Sequence, residues 1–294
     1  MEAFLARLHV LVATLGRAEL TRQTIDRLAD QTRPPDGIVV VGVGDADIAG
    51  VEQARGTVEI ALGPRGSCAQ RNHGLDMLRG RSDIVVFFDD DFVAAPDYLE
   101  QIEALFAERP DVAGLTGKLI ADGIHGGGFS LDQAIGLIAD DMPPSPPVTE
   151  PISALYGCNM ALRMAMVGDV RFDENLPLYG WQEDIDFSRS VGRCGPLLST
   201  SRLRGVHMGA RGGRTSGVRF GYSQIANPFY LTRKGTMPSG MAMGLMMRNF
   251  AANMRGSLKP EAHIDRRGRL RGNLMAMIDI VRGRSNPRRI LELV

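Results

Sequence analysis

The sequence has 294 residues, 44% of them hydrophobic and 23% charged, ordinary proportions for one large globular domain or two intimate ones. Lysine plus arginine and aspartate plus glutamate stand at 34 each, which argues against a dedicated nucleic-acid binder, and no nucleic-acid partner is expected. The three cysteines, Cys68, Cys158 and Cys194, are odd in number and widely spaced, the pattern of reduced thiols in a cytoplasmic protein rather than of a disulfide or zinc framework.

Along the first hundred residues short β-branched runs alternate with helical periodicity, which predicts an α/β fold with a mainly parallel sheet flanked by crossover helices. Leu8–Leu15 is apolar but is interrupted by His9 and Thr14 and is shorter than the ~20 residues of a membrane span, so it reads as a strand from His9 to Ala13. A helix from Ala18 to Asp30 stops at Pro34-Pro35; Ile38–Val41 and Val58–Leu62 are further strands, and Ala69–Leu78 is a helix. Asp83–Phe88 is the most apolar strand and runs straight into Asp89-Asp90-Asp91. A helix opened by Pro96 turns Leu99, Ile102, Leu105 and Phe106 inward and stops at Pro110. Three glycines at 126–128 and five prolines between Asp140 and Pro151 then predict a long loop, a lid or a connector. A second α/β portion follows through Gly205. From Met237 the chain reads as helices, with Met243, Met246, Met247, Phe250 and Met254 at near-helical spacing and 11 Lys/Arg against 4 Asp/Glu between Met241 and Val294.

The aspartate run stands out by position. Carboxyl ends of parallel strands face the ligand crevice of an open α/β sheet. Three adjacent carboxylates there repel one another unless a cation neutralises them, and oxygen ligands suit Mg²⁺ or Mn²⁺. Alternate residues share a side, so Asp89 and Asp91 can share one cation while Asp90 points elsewhere, toward a donor ribose. The competing reading is a solvated acidic turn or a capping cluster. A second acidic pair, Glu183-Asp184, follows Trp181, the only tryptophan, at an expected helix start, where carboxylates are favoured by the helix dipole. Only one of the two can point squarely into a cavity; capping alone also explains them. His207 precedes a flexible basic loop with Arg211 and Arg214. An imidazole can complete a carboxylate metal site and the arginines can close over a diphosphate, or all three are structural and solvated.

Taken in order, Ala13-Thr14, Arg71-Asn72-x-Gly74, FFDDDF, Gly157-x-Asn159 with Arg163, Trp181-x-Glu183-Asp184 and His207 resemble the family 2 glycosyltransferases of the GT-A fold, the inverting enzymes of bacterial polysaccharide synthesis. The resemblance implies a Rossmann-like GT-A catalytic domain over 1–236, with a nucleotide-sugar half at 1–120 and an acceptor half at 121–236, and a helical extension at 237–294. It implies Asp89, Asp91 and His207 as ligands of Mn²⁺ or Mg²⁺ and Asp184, with Glu183 beside it, as the catalytic base. Thr14, Arg17, Arg71, Asn72, Asp90, Arg211 and Arg214 fall to the nucleotide-sugar co-substrate, and Trp181, Asn159 and Gly157 to the acceptor. The family's adjacent aspartates after the second strand are replaced by Val41–Asp47, leaving Asp45 or Asp47 for that role, and Thr14 stands where the family has proline. The expected reaction is inverting transfer from a nucleoside-diphosphate sugar, UDP-hexose above a dTDP or GDP sugar, to a saccharide or lipid-linked acceptor in surface polysaccharide synthesis. The alternatives are a sugar nucleotidyltransferase, for which Leu15-Gly16-Arg17 is a short loop, and a non-catalytic binding module. The basic Met-rich tail fits either an anionic membrane surface, with the protein peripheral on its inner face, or core and homodimer contacts.

Overall fold

The most apolar runs of the first ninety residues become central parallel strands because they are apolar on both faces and need cover from both sides; the run at 58–62, which carries Glu59, takes the sheet edge. In the computed structural model, which describes residues 6–210, 216–258 and 264–293, the chain opens with β1 (Leu8–Ala13), α1 (Ala18–Asp26), β2 (Gly37–Gly42), α2 (Asp45–Ile48), β3 (Val58–Leu62), α3 (Ser67–Met77) and β4 (Ile84–Asp89). It continues through β5 (Phe92–Ala94), α4 (Tyr98–Glu108), β6 (Gly114–Asp122), α5 (Leu131–Ala139), β7 (Thr149–Pro151), β8 (Asn159–Arg163) and α6 (Met164–Val167). The remaining elements are α7 (Glu183–Val191), β9 (Leu197–His207), α8 (Gly217–Lys234), α9 (Ser239–Leu258) and α10 (Arg266–Val281).

The strands form one nine-stranded sheet of order β3-β2-β1-β4-β8-β6-β9-β5, with β7 on β9. From β3 to β4 the pairs are parallel. Beyond β4 the sheet is mixed: β8 runs antiparallel to β4 and β6, while β6 runs parallel to β9. The mainly parallel arrangement expected from the sequence therefore describes the first half. The second half inserts β8 as an antiparallel strand, whose ladder needs no crossover helix.

The stretch read as a long loop contains two elements. Ser130 caps α5, its hydroxyl accepting from the Gln133 N–H while Gln133 reaches back to the Ser130 N–H, a capping box in the sequence Ser-x-x-Gln. Thr149–Pro151 pairs with β9 as an exposed strand, a position where proline is tolerated because its missing N–H faces outward.

Packing divides the chain into two compact units, the first made of Met1–Pro64, Gln70–Arg171 and Ser188–Gly213 and the second of Arg65–Ala69, Phe172–Phe187 and Arg214–Val294. The division into 1–236 and 237–294 expected above concerns function and is a different partition. In the first unit the core is built on Val10, Val12, Val40, Val86, Phe88 and Leu115, all buried. In the second, Tyr222, Ile225, Ala226, Ala276 and Ile290 form the core. There Gly221 of α8 and Gly272 of α10 let the helices meet backbone to backbone: a Cβ on Gly272 would stand 2.5 Å from the Tyr222 nitrogen. Asn273 Nδ2 donates to the Gly221 carbonyl at 2.6 Å across that crossing.

Candidate active site

Phe88 and Phe92 bracket the aspartate run. Both are buried, their rings stack at 4.9 Å, and Tyr98 packs edge-on to each at 5.3 and 5.7 Å. The turn between them is thereby anchored on both sides, and its three carboxylates take three different environments. Asp89 ends β4, opposite Ala13 of β1, with its side chain 34% exposed. Arg71 Nη2 donates to Asp89 Oδ1 at 2.8 Å and to the Gly157 carbonyl at 3.1 Å.

Asp90 points the other way, as strand alternation requires, into the interior, where it is 1% exposed. Its Oδ2 accepts from Thr14 Oγ1 at 2.7 Å, and Arg17 Nη2 lies 2.6 Å from its Oδ1. Burial pushes its carboxyl up to about 7 against the pull of Arg17. Thr14 is 2% exposed with its hydroxyl turned to Asp90, so the two residues are buried together. Arg17 also approaches Asp91 Oδ2 at 3.3 Å and donates to the Ala210 carbonyl at 3.4 Å. It ties the aspartate turn to the segment after β9.

Asp91 is buried, and its Oδ2 accepts from the Ala210 N–H at 2.7 Å. Its Oδ1 stands 3.3 Å from His207 Nε2, and Asp89 Oδ2 stands 3.9 Å from the same nitrogen. Register explains the meeting, because His207 at the end of β9 pairs with Phe92 of β5 on one side and Asp122 of β6 on the other. His207 Nδ1 faces Asp122 Oδ1 at 3.1 Å, and Asp122 Oδ2 accepts from Tyr156 Oη at 2.7 Å. Asp122 thus fixes the ring so that Nε2 is the atom turned to Asp91 and Asp89. Burial opposes the charged imidazole, but the bonds with Asp122 and Asp91 and the nearby carboxylates outweigh it and push His207 up to about 10. Burial raises Asp122 less than its bonds to His207 and Tyr156 lower it, and it is held at about 2. Asp91 is also held below its usual range, burial being overcome by His207, Arg17 and the Ala210 N–H.

Close backbone approach brings β6 and β9 together at this end. Gly209 has φ of +70°, and a Cβ there would strike Gly123, as one on Gly123 would strike Met208. Side chains at these two positions would push Asp122 and His207 apart.

The fit to a divalent ion rests on these atoms. Asp89, Asp91 and His207 each offer one ligand atom within 4.8 Å of the others. The donor set is two carboxylates and an imidazole, suited to Mn²⁺ or Mg²⁺. Asp122 and Tyr156 are the members that the sequence did not single out; the available signal was an acid closing a strand immediately before Gly123.

Other expected residues take varied places. Asn72 is buried on α3. Asn159 is 1% exposed, its Oδ1 accepting from Thr116 Oγ1 at 2.6 Å and its Nδ2 donating to the Gly117 carbonyl at 3.4 Å, so its amide is bonded to the neighbouring strand β6. Asp45 is exposed in the first turn of α2, whereas Asp47 is buried and accepts from the N–H groups of Gly16, Val43 and Gly44 at 2.6, 3.1 and 2.9 Å. Asp47 therefore shapes the loops after β1 and β2. Arg211 and Arg214 lie outside the described residues.

In the second unit, Glu183 and Asp184 open α7 as expected, with Asp186 also in the first turn. The backbone leading to them is unusual: Leu178 and Gln182 have φ of 60° and 73°, and Gly180 has 64°. Left-handed leucine and glutamine are uncommon and cost of order 1–3 kcal/mol each. The segment is pinned by the Ser67 N–H donating to the Leu178 carbonyl at 2.8 Å and by Asn227 Nδ2 donating to the Trp181 carbonyl at 2.8 Å. Trp181 packs against Phe220 at 5.9 Å.

Residues 9–126 match the model of glycosyl transferase family 2. No curated protein matches the chain. Among solved structures it is similar to GalNAc-T7 with UDP, GalNAc and Mn²⁺, at 13% identity and TM-score 0.51, covering 80% of this chain and 52% of that one. It is similar to TarS of S. aureus at 18% identity and TM-score 0.51, covering 75% of this chain and 38% of that one. With TarS 1–349 in complex with UDP-GlcNAc it shares 18% identity and TM-score 0.56 over 98% of this chain and 84% of that one. The chain thus spans about half the length of the first and less of the second. Residues 9–126 thus match the glycosyl transferase family 2 model, and the chain shares the mixed α/β GT-A fold of these glycosyltransferases.

Proposed function

We propose that the protein is an inverting, metal-dependent glycosyltransferase that moves a sugar from a nucleoside-diphosphate donor to a hydroxyl of a saccharide or lipid-linked acceptor in surface polysaccharide synthesis. The observation that carries this reading is the meeting of Asp89, Asp91 and His207 within 4.8 Å at the carboxyl end of β4. GalNAc-T7 is similar in fold and holds UDP, and TarS 1–349 holds UDP-GlcNAc, which favours a UDP-sugar over a dTDP or GDP sugar.

In this reading Asp184 takes the proton of the acceptor hydroxyl as that oxygen bonds to the anomeric carbon and the carbon–diphosphate bond breaks. Glu183 and the strained backbone before it orient Asp184, and Trp181 and Gly157 belong to the acceptor side. Mn²⁺ or Mg²⁺ held by Asp89, Asp91 and His207 would neutralise charge developing on the departing diphosphate. Arg71 steadies Asp89; Arg17 holds Asp91 while Asp90 keeps Arg17 in place. Arg211, Arg214, Asn72 and Asp45 are assigned to the donor. The protein would work in the cytoplasm, at the inner face of the membrane.

The test is a thermal-shift series with UDP, dTDP and GDP, each with and without Mn²⁺, because a ligand of the native state raises its apparent stability. A shift by UDP that requires Mn²⁺ supports the reading; no shift with any diphosphate, or a shift indifferent to metal, refutes it. Donor hydrolysis by the same sample separates an enzyme from a non-catalytic binding module.

A further inference from the structure

Helices α9 and α10 bury polar side chains beside apolar ones such as Ala276 and Met246 and turn further apolar side chains outward. On α9 the inward positions include Asn253, wholly buried, whose Nδ2 donates to Gln224 Oε1 at 2.7 Å and Asn273 Oδ1 at 2.9 Å. Outward, Met243, Met247, Met254 and Leu258 are 56%, 57%, 51% and 82% exposed. Their spacing of four, seven and four residues makes a single stripe, roughly 22 Å long at 1.5 Å per residue. On α10 the pattern repeats: Asn273 and Asp279 are buried while Leu274, Ile278 and Val281 face outward. A helix whose outer face meets only water carries polar residues there, and contiguous exposed apolar side chains mark an interaction surface.

Charge selects the occupant. The only acid on either helix is Asp279, which is buried and paired with Tyr222, Arg284 and Arg289. Arg248 and Arg255 of α9, and Arg267 and Arg271 of α10, are exposed beside the apolar stripes. A second copy of this surface would set arginine against arginine. An anionic bilayer supplies an apolar layer and negative headgroups together.

We propose that α9 lies flat on an anionic lipid surface with its methionine stripe in the acyl boundary, seconded by the outward face of α10. No helix among the described residues is long and apolar enough to cross a membrane, so the contact is interfacial. It stands independently of the glycosyl-transfer reading.

Co-sedimentation of the full chain with vesicles of phosphatidylcholine mixed with phosphatidylglycerol, against pure phosphatidylcholine, tests it. The protein should pellet with the mixed vesicles and be released by salt. The combined Met243→Gln, Met247→Gln, Met254→Gln and Leu258→Gln variant should lower partitioning at least about tenfold while its circular dichroism stays unchanged. Arg248→Glu with Arg255→Glu reads the same surface should the first variant misfold. Equal pelleting of wild type and variants, or no preference for anionic vesicles, overturns the proposal. So does a wild-type dimer in sedimentation velocity that the variants dissolve.

Discussion

The two acidic segments of the chain, Asp89–Asp91 and Glu183–Asp184, are held by different means. In the first, every carboxylate has a fixed partner: Arg71 for Asp89, Arg17 and Thr14 for Asp90, His207 and the Ala210 N–H for Asp91. In the second, left-handed residues at 178, 180 and 182 lead into the helix start, where the Ile185 N–H donates to Asp184 Oδ1 at 2.8 Å. Mutually repelling charges need counter-charges to be buried together, and the site obtains them from arginines and a protonated histidine.

The difference makes graded predictions. Asp184→Asn should lower kcat by about 10² to 10⁴, the usual worth of a general base, with Mn²⁺-dependent UDP binding intact; full activity in steady-state assays removes Asp184 from the role. Asp122→Asn should weaken Mn²⁺ binding about 10- to 100-fold by releasing His207, although Asp122 touches no ligand atom of the cluster other than through that ring; unchanged affinity in titration calorimetry would make Asp122 merely structural.

The charge on His207 adds a pH dependence. With His207 pushed up to about 10, a metal must displace its proton, so apparent Mn²⁺ affinity should rise by about tenfold per pH unit between roughly pH 6 and 8. The metal-free protein should behave oppositely. A raised folded-state pKa contributes stability in full below the ordinary value of about 6.5, and that contribution is lost as the pH climbs through about 10. In Asp122→Asn both slopes should flatten, because the bond that raises His207 is weakened. A metal affinity independent of pH would show that His207 is not a ligand.

The smallest effect concerns the strained segment. Gln182→Val places a β-branched residue at φ of 73° and should destabilise by about 1–3 kcal/mol, with activity falling more than global stability accounts for. Denaturant unfolding alongside kcat measures both; a neutral substitution would show that this backbone holds no strain.

How far the sequence revealed all this follows the range of each interaction. Apolar runs such as Ile38–Val41 and Val58–Leu62 announce strands locally, and the aspartate run declares itself by following the most apolar of them. Asp122 did not, because its importance depends on the β6–β9 register that sets it beside His207, and register is a property of distant pairing. Strand alternation correctly turned Asp90 away from Asp89 and Asp91, but which environment it entered depended on Arg17 and Thr14. The methionines of α9 were legible as a helical stripe. Which of them face outward depends on tertiary contacts: Met246 packs against the Tyr222 core while Met243, Met247 and Met254 stay exposed, the inner side being shared with Asn253 and its partners Gln224 and Asn273. Prolines gave the reverse error, since Pro151 lies in an edge strand whose missing donor goes unneeded.

The most direct measurement is calorimetric titration of UDP into wild type and Asp91→Ala, each with and without Mn²⁺. UDP should bind wild type far more tightly with Mn²⁺, whereas in the variant Mn²⁺ should add nothing. Equal enhancement by Mn²⁺ in both proteins would contradict the assignment of Asp89, Asp91 and His207 as the metal centre.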